Sequence, residues 1–120
     1  MVDDSECRLD TACKCLELQK PSKDKWLDMK DEEIRALSSL MRSISDPIRI
    51  RIIEMLSKDS LYVCIIQHLL DGIKYSKLSY HLDILKKEGI VESKREGNFV
   101  LYHLTSRGVE ISKVILSIGR

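Results

Sequence analysis

Aromatic residues are scarce in this chain, which has one Trp, one Phe and four Tyr among its 120 residues. A core must therefore rest mainly on Ile, Leu and Val, and the length suffices for one small domain. No uninterrupted apolar run approaches the roughly 20 residues that a bilayer span requires. The first fifteen residues are polar and acidic, unlike a signal peptide. We therefore expect a cytoplasmic protein without a membrane partner.

The chain also lacks a strong excess of charge of either sign, because its formal net charge is only +1. The charge is nevertheless distributed unevenly. Residues 1–33 hold ten acids and six bases, whereas residues 74–95 hold six Lys or Arg and three acids. The acidic front is not expected to face nucleic acid. The later surplus fits a nucleic-acid surface, although by itself it is more typical of a solvated face.

Patterns that indicate an enzyme are missing as well. The four cysteines include no Cys-x-x-Cys pair, and we find no Ser-His-Asp arrangement, phosphate-binding glycine loop or pair of catalytic carboxylates. Because the marks of secretion are absent, the cysteines are expected to be free thiols in a reducing compartment. The sequence therefore predicts a protein that is not an enzyme and has no permanent cofactor.

What the chain does contain is a well-patterned stretch from Lys74 to Tyr102. Leu78, Leu82 and Leu85 recur at helical spacing, so one face of a helix is apolar. Gly89 follows where a helix C-terminal glycine belongs. This part of the stretch predicts a helix whose opposite face is polar and basic.

A hairpin is predicted directly after that helix. Two β-prone runs, residues 90–93 and 99–104, flank a charged turn at residues 94–98 with Gly-Asn at its tip. A helix joined to a basic hairpin is the arrangement of a winged helix-turn-helix. The helix fits the DNA major groove, which is about 12 Å wide, and the hairpin tip can reach flanking phosphates.

The candidate DNA contacts follow from this arrangement. Base or sugar-phosphate contacts are predicted for Ser76, Lys77, Ser79, Tyr80 and His81, and phosphate contacts for Lys86, Lys87, Lys94 and Arg95. Two of these residues have alternative roles. His81 is equally compatible with a partly buried position inside the helix-turn-helix, and Tyr80 with packing at the domain surface.

Helices are also predicted upstream. Residues 31–43 carry an apolar stripe behind three acids that suit a helix N-terminus. Asp46 is a predicted N-cap and Pro47 a first helical residue. In the helix that they open, Arg49 and Arg51 are expected to face outward.

Two further helices complete the predicted fold. A short one opens at Ser60 or Leu61 and runs to Leu70, and a final one spans residues 106–118. The final helix has more apolar surface than so small a domain can cover, so it is expected to pack, with the helix at 31–43, against a second subunit. A monomer that buries this surface in its own core is the alternative.

The predicted fold class is therefore mainly α with a two-stranded β-wing, a dimeric winged helix-turn-helix. Residues 1–22 are expected to form a flexible, cysteine-containing arm. Residues 23–120 are expected to form the DNA-binding and dimerisation domain.

The motifs resemble those of the ArsR/SmtB repressors over about residues 31–118. Residues 46–56, DPIRIRIIEML, resemble the DPxRxxIL opening of that family, and residues 76–91, SKLSYHLDILKKEGIV, resemble its SxxSxHLxxLxxAGLV recognition helix. REGN at 95–98 and YHL at 102–104 resemble its REGR turn and YxL strand. One departure is Glu88, where the family usually has alanine, and its cost should be small. The resemblance implies a dimeric repressor that leaves its operator DNA when an effector binds.

The resemblance also indicates where an effector could bind. Many zinc and nickel sensors of the family carry Asp and His on the last helix, but here that stretch offers only Glu110. Thiol sensors of the family read ELCVCDL at the first helix of the helix-turn-helix. This chain has SLYVCII at residues 60–66, so Tyr62 replaces the first cysteine and Cys64 matches the second. Some members recruit arm cysteines to such a residue.

The arm supplies Cys7, Cys13 and Cys15. Thiolates select soft ions such as Cd(II), Pb(II) or As(III) over hard cations. Three sulfurs match the pyramidal coordination of As(III) or Sb(III), and a fourth from Cys7 would suit tetrahedral Cd or Zn.

Other interpretations of the cysteines stay open. The same thiols could form a disulfide redox switch, or Cys64 could simply fill space as a small apolar residue. A metal-buffering or protein-binding module that uses the winged helix only as a scaffold is a further alternative.

Overall fold

The structure is a computed structural model that describes residues 14–120, with side chains described from Leu16 onward. The chain divides into two compact units, and the boundary between them lies between residues 35 and 36. The first unit contains α1 (Lys14–Gln19) and α2 (Lys23–Trp26). Its described side chains are exposed. Most of the predicted arm lies outside the described residues.

Helices α3 (Asp31–Ile44) and α4 (Pro47–Lys58) confirm the predicted upstream helices. Asp46 caps α4 because its carboxylate accepts a hydrogen bond from the Ile48 N–H at 2.9 Å. Proline fits the first helical position, where its missing N–H is not needed. Ile52 and Ile53 of α4 have no exposed surface and lie at the centre of the core.

The segment after α4 differs from the prediction. Leu61–Tyr62 forms a short strand, β1, which pairs antiparallel with Tyr102 and Leu101, and only then does α5 (Val63–Leu69) begin. The predicted helix start at Ser60 or Leu61 was wrong because pairing with a neighbouring strand satisfies the backbone there. The apolar run LYVCII does not reveal that long-range pairing by itself.

Helix α6 (Tyr75–Lys87) confirms the predicted helix of the central stretch. Gly89 ends it with a positive φ of 73°, which glycine adopts without a Cβ clash. The Ile90 N–H donates to the Leu85 carbonyl at 3.0 Å across this turn. Leu78, Leu82 and Leu85 are buried, so the predicted apolar face is the inner face of α6.

The hairpin consists of β2 (Val91–Glu96) and β3 (Phe99–Leu104), and β1 extends it to a three-stranded sheet in the order β1-β3-β2. Glu96 pairs with Phe99, so the loop contains only Gly97 and Asn98. The predicted five-residue turn was therefore too long. Lys94 and Arg95 belong to a strand, where pairing orders their backbone.

The last helix, α7 (Ser106–Gly119), is capped by Thr105, whose hydroxyl accepts from the Gly108 N–H at 3.0 Å. Gly108 is buried against the backbone of Ile90. The core between α4, α5, α6, α7 and the sheet is aliphatic except for Tyr102, as the scarcity of aromatic residues predicts: Ile52, Ile53, Leu56, Ile66, Leu78, Leu82, Leu85, Ile90, Val91 and Tyr102. Among the described residues, no helix has both the length and the apolarity to cross a membrane.

Candidate nucleic-acid interface and thiol site

The outward face of α6 carries most of the predicted DNA contacts. Ser76 and Lys77 are exposed, Tyr80 is 60% exposed, and Ser79 is half-buried. Their direction is fixed by the buried leucines on the opposite face, because side chains three or four residues apart share one side of a helix. This face can offer hydroxyl, ammonium and phenol groups to a groove.

His81 belongs to the interior of the domain. Its side chain is buried, and its Nδ1 accepts a hydrogen bond from Arg49 Nε at 3.0 Å. The sequence allowed either a DNA contact or a partly buried position for His81, and in the structure the residue is buried. Burial lowers the pKa of His81 below 6.5, with Arg49 and Lys77 adding to the effect and the carboxylate of Asp46 opposing it.

Arg49 was expected to face outward, and that prediction was wrong. Its side chain is half-buried, and its Nη1 donates to the Ser43 carbonyl at 3.1 Å in addition to the bond from Nε to His81. The sequence did hold a signal. Arg49 precedes the buried Ile52 and Ile53 by three and four residues, which places it on their side of the helix. Arg51 does face outward and pairs with Glu54 at 2.9 Å.

The C-terminal end of α6 is held by Glu88. Ser39 Oγ of α3 donates to its Oε1 at 2.8 Å, and Arg107 Nη1 of α7 donates to its carbonyl oxygen at 2.8 Å. Of these two contacts only the bond from Ser39 depends on the side chain, so the departure from alanine at this position adds a hydrogen bond between α3 and the end of α6. Nearby, Lys86 Nζ donates to Ser93 Oγ of β2 at 2.8 Å, whereas Lys87 is exposed.

Lys94 and Arg95 are both exposed, but they lie on opposite faces of the sheet because successive side chains alternate along a strand. Arg95 shares its face with Ser93, which contacts Lys86 of α6. Lys94 lies on the other face, beside Glu96. The strand pleat thus separates two residues that are adjacent in the sequence, and Arg95 is the one on the side of α6.

Glu96 connects the wing to the start of α5. The Tyr62 hydroxyl donates to Glu96 Oε2 at 2.7 Å, and the Tyr62 ring lies 5.7 Å from the Phe99 ring. The hydrogen bond to Glu96 raises the pKa of Tyr62, because ionising the phenol would place a second negative charge beside the carboxylate. The sequence identified Tyr62 only as the residue that replaces a cysteine of the thiol sensors. No sequence pattern indicated that Glu96 is its partner.

Cys64 lies in the first turn of α5 and is exposed. It borders a hollow of about 160 Å³ whose other walls come from β1, the start of α5, the start of α6 and the wing: Tyr62, Val63, Tyr75, Asn98, Phe99 and Val100. Cys7 and Cys13 lie outside the described residues, and Cys15 falls within α1 with its side chain undescribed. In the described part of the chain, no group of three His, Cys, Asp or Glu side chains is arranged to hold a metal ion. The sulfur atoms of three of the four predicted metal ligands, Cys7, Cys13 and Cys15, therefore lie outside what the structure describes.

Comparison with known proteins identifies the family. Residues 46–93 match the profile described as bacterial regulatory protein, arsR family. An uncharacterized HTH-type transcriptional regulator of Methanocaldococcus jannaschii is 33% identical over 88 residues, which are 70% of this chain and 96% of that protein.

Two further relatives have more specific names. The cadmium resistance transcriptional regulatory protein CadC of Listeria innocua is 34% identical over 70 residues, covering 58% of each chain. The arsenical resistance operon repressor of Staphylococcus xylosus is 32% identical over 72 residues, covering 58% of this chain and 66% of that one. This chain therefore spans less than two thirds of either relative.

Solved structures show the same fold. HlyU from Vibrio cholerae superposes with a TM-score of 0.68 at 22% identity, covering 74% of this chain and 97% of that one. A homodimeric winged helix-turn-helix DNA-binding domain from Mycobacterium bovis superposes with a TM-score of 0.65 at 18% identity, covering 78% and 89%. With its capped α4, its helix α6 and its wing, the chain belongs to the ArsR family of bacterial regulatory proteins, and it is a winged helix-turn-helix transcriptional regulator rather than an enzyme.

Proposed function

We propose that this protein is a homodimeric repressor that occupies operator DNA and is released when a thiophilic effector binds its cysteines. The effector would be As(III) or Sb(III), or else Cd(II) or Pb(II). The observation that carries the effector part is the exposed thiol of Cys64 beside the wing, in a chain whose N-terminal arm holds three more cysteines.

The DNA-binding part of the proposal rests on α6 and the wing. Ser76, Lys77 and Tyr80 would enter the major groove, while Lys86, Lys87 and Arg95 would contact phosphates. Lys94 lies on the face of the wing opposite Arg95, so it would contact a phosphate only on that side. Because these contacts displace counterions, affinity should fall steeply with salt.

The dimer part rests on an uncovered apolar groove of about 300 Å³ between α3 and α7. Leu37, Met41 and Val114 border it and are 37%, 57% and 59% exposed. Contiguous apolar surface of this kind in water is typical of an interface. A second copy packed here by a two-fold axis would present two α6 helices to successive turns of DNA, about 34 Å apart. The homodimeric M. bovis neighbour supports this choice of partner.

The effector part rests on donor chemistry. Thiolates bind soft ions far better than carboxylates do, and Cys64 is accessible to donors from elsewhere. Cys13 and Cys15 would complete a three-sulfur site for As(III) or Sb(III), and Cys7 a four-sulfur site for Cd(II). Relatives named for arsenical and cadmium resistance support this chemical class.

The position of Cys64 suggests how binding would be transmitted. Helix α5 packs against β1 and β3, and the hollow beside Cys64 is bordered by Asn98 and Phe99 at the wing tip. Ligation at Cys64 would therefore displace the wing. An effector acts only through unequal affinity for the free and DNA-bound forms, and such couplings are typically about 1 to 3 kcal/mol.

The test measures DNA binding and ligand binding together. A labelled duplex is first selected by the unsubstituted protein from a random pool, and release is followed by fluorescence anisotropy as arsenite or cadmium is added. Sulfur-to-metal absorbance and the free-thiol count are recorded in the same titration. Replacing Cys13, Cys15 and Cys64 together by Ser should leave duplex affinity within about threefold and abolish release, because Ser is a poor soft-ion ligand. Cys7→Ser is the matched control that separates three-sulfur from four-sulfur binding.

Several outcomes would contradict parts of the proposal. Release that survives in the triple variant would remove these cysteines from the site. Release by diamide with loss of thiols, without release by arsenite or cadmium, would favour the disulfide switch. Failure of the unsubstituted protein to select any duplex would overturn the repressor itself.

A further inference from the structure

The guanidinium of Arg49 joins three helices beside the outward face of α6. Arg49 of α4 donates from Nε to His81 Nδ1 of α6 at 3.0 Å and from Nη1 to the Ser43 carbonyl of α3 at 3.1 Å. Ser43 is in the last turn of α3, the helix whose outer side borders the apolar groove. The contact therefore joins the end of α3, the helix that carries part of the proposed dimer face, to the middle of α6.

The chemistry of this contact requires a neutral imidazole. Arginine stays protonated and offers only donors, so Nδ1 of His81 must present its lone pair. A protonated His81 would place an N–H against the Arg49 guanidinium and lose the hydrogen bond. His81 is only 5% exposed, so the ring has little freedom to turn away.

Some of the groups around His81 favour protonation of its ring and others oppose it. From α4, Asp46 Oδ1 lies 3.9 Å from Nδ1 and favours protonation, whereas Arg49 opposes it. From α6, Lys77 opposes protonation, and the Tyr80 ring lies 5.4 Å away in edge contact. Burial adds to the opposing side, and the pKa of His81 lies below its ordinary value as a result.

We propose that Arg49 and His81 are positioning residues for DNA binding, which fix the angle of α6 relative to the end of α3 through the bond from Nε to Nδ1. This inference rests on the proposed function, since it assumes that α6 binds a duplex. In a dimer the contact occurs twice and sets the orientation of both reading helices. Acidification that protonates His81 breaks the contact and weakens duplex binding.

The experiment uses the full chain and a labelled duplex selected by the unsubstituted protein from a random pool. His81→Asn keeps an acceptor oxygen at a reach similar to that of Nδ1 but cannot be protonated. His81→Leu removes the acceptor, and Arg49→Lys keeps the charge but loses the two-pronged donor geometry. The matched controls are Arg51→Lys, on the exposed side of the same helix, and His68→Asn, on the exposed side of α5.

At neutral pH, Arg49→Lys and His81→Leu should weaken duplex binding by about tenfold, the scale of one buried hydrogen bond to a charged group. His81→Asn and both controls should stay within about threefold. The slope of log affinity against log salt should be unchanged in all variants, because no phosphate contact is removed. A shallower slope in Arg49→Gln, which removes the charge that Arg49→Lys keeps, would place Arg49 on a phosphate and overturn the positioning role.

The pH profile separates positioning from a merely structural role. Affinity of the unsubstituted protein should stay constant from about pH 8 to about pH 6.5 and should fall at lower pH, once His81 takes up a proton, by up to about tenfold per pH unit for each His81 that must lose it. His68→Asn should show the same fall and His81→Asn none. An equal fall in His81→Asn would overturn the inference.

Failure to fold and failure to bind DNA are distinguished from failure of the inference. Circular dichroism at each pH shows whether a variant is folded, and if His81→Leu does not fold, the profile of His81→Asn still decides. If the unsubstituted protein binds no duplex at any pH, the proposed function fails instead of the inference that rests on it.

Discussion

The hydroxyl of Tyr62 and the carboxylate of Glu96 are 2.7 Å apart, so the residue just before α5 is hydrogen-bonded to the last residue of β2. Tyr62 also stacks obliquely on Phe99, at an angle of 57° between the rings. Cys64 follows two residues later. The proposed effector thiol and the tip of the wing are therefore connected through one tyrosine.

Replacing Tyr62 by Phe removes the hydroxyl and keeps the ring. The free energy of unfolding should change little, because the bond is solvent-accessible. Amide exchange at residues 94–99 should become faster and duplex affinity should fall several-fold, since the wing tip loses its tether. Tyr75→Phe, at the other side of the hollow, should change neither quantity. Unaltered exchange in Tyr62→Phe would show that strand pairing alone holds the wing.

Stability should decline in mild acid because of His81. Its pKa in the folded protein lies below the unfolded value of about 6.5, mainly through burial. The unfolded chain therefore binds the proton more readily, and the free energy of unfolding falls as pH drops below about 6.5 until it passes the lower folded pKa. The slope cannot exceed about 1.4 kcal/mol per pH unit for this one group. Urea unfolding at a series of pH values measures it, and His81→Asn should show no decline in that window.

Asp46 links the helix cap to the titration of His81. Burial favours the neutral acid, but the N–H groups of Ile48 and Arg49, together with the charges of His81 and Arg49, outweigh it, so the pKa of Asp46 lies below 3.8. Its stabilising contribution is thus present above pH 3.8 and is lost as pH falls through the lower folded value. Asp46→Ala should cost about 1 kcal/mol as a lost cap, and Asp46→Asn considerably less.

Asp46→Asn should also lower the pKa of His81 further, because it removes the carboxylate that favours protonation. An NMR titration of the His81 ring should show this shift. A rise of that pKa in Asp46→Asn would contradict the charge balance described above.

Gly108 is required by close packing. A Cβ at this position would overlap the carbonyl oxygen of Ile90, so α7 or the turn after α6 would have to move. Gly108→Ala should destabilise the protein by about 1 to 3 kcal/mol, the usual cost of overpacking. Gly119→Ala in the same helix meets no atom within 4 Å and serves as the control. Equal denaturation midpoints for the two variants would show that α7 shifts freely.

Charge placed in the apolar groove should separate the dimer. Met41→Glu and Val114→Glu bury a carboxylate at the proposed interface, which is strongly unfavourable without a partner. Sedimentation should show monomers whose duplex affinity is greatly reduced. Lys113→Glu changes charge on the other side of α7 by helical periodicity and should remain dimeric. A Val114→Glu variant that sediments unchanged would place the interface elsewhere.

The sequence by itself determined the order of elements and most of their inner faces. Leucines at helical spacing predicted which side of α6 is buried, because that periodicity depends only on the geometry of a single helix. The caps at Asp46 and Gly89 were equally local, since one side chain or one positive φ acts within a few residues. The same short-range patterns supplied the family motifs.

Tertiary structure alone decided which residues meet across the domain. The partnership of Arg49 with His81 spans 32 positions and that of Tyr62 with Glu96 spans 34, and no local spacing encodes either one. Strand β1 likewise formed only because β3 offered it a paired edge. Hydrogen bonds between distant residues form only where the packing of helices and strands brings polar groups within reach, so these contacts required the folded chain.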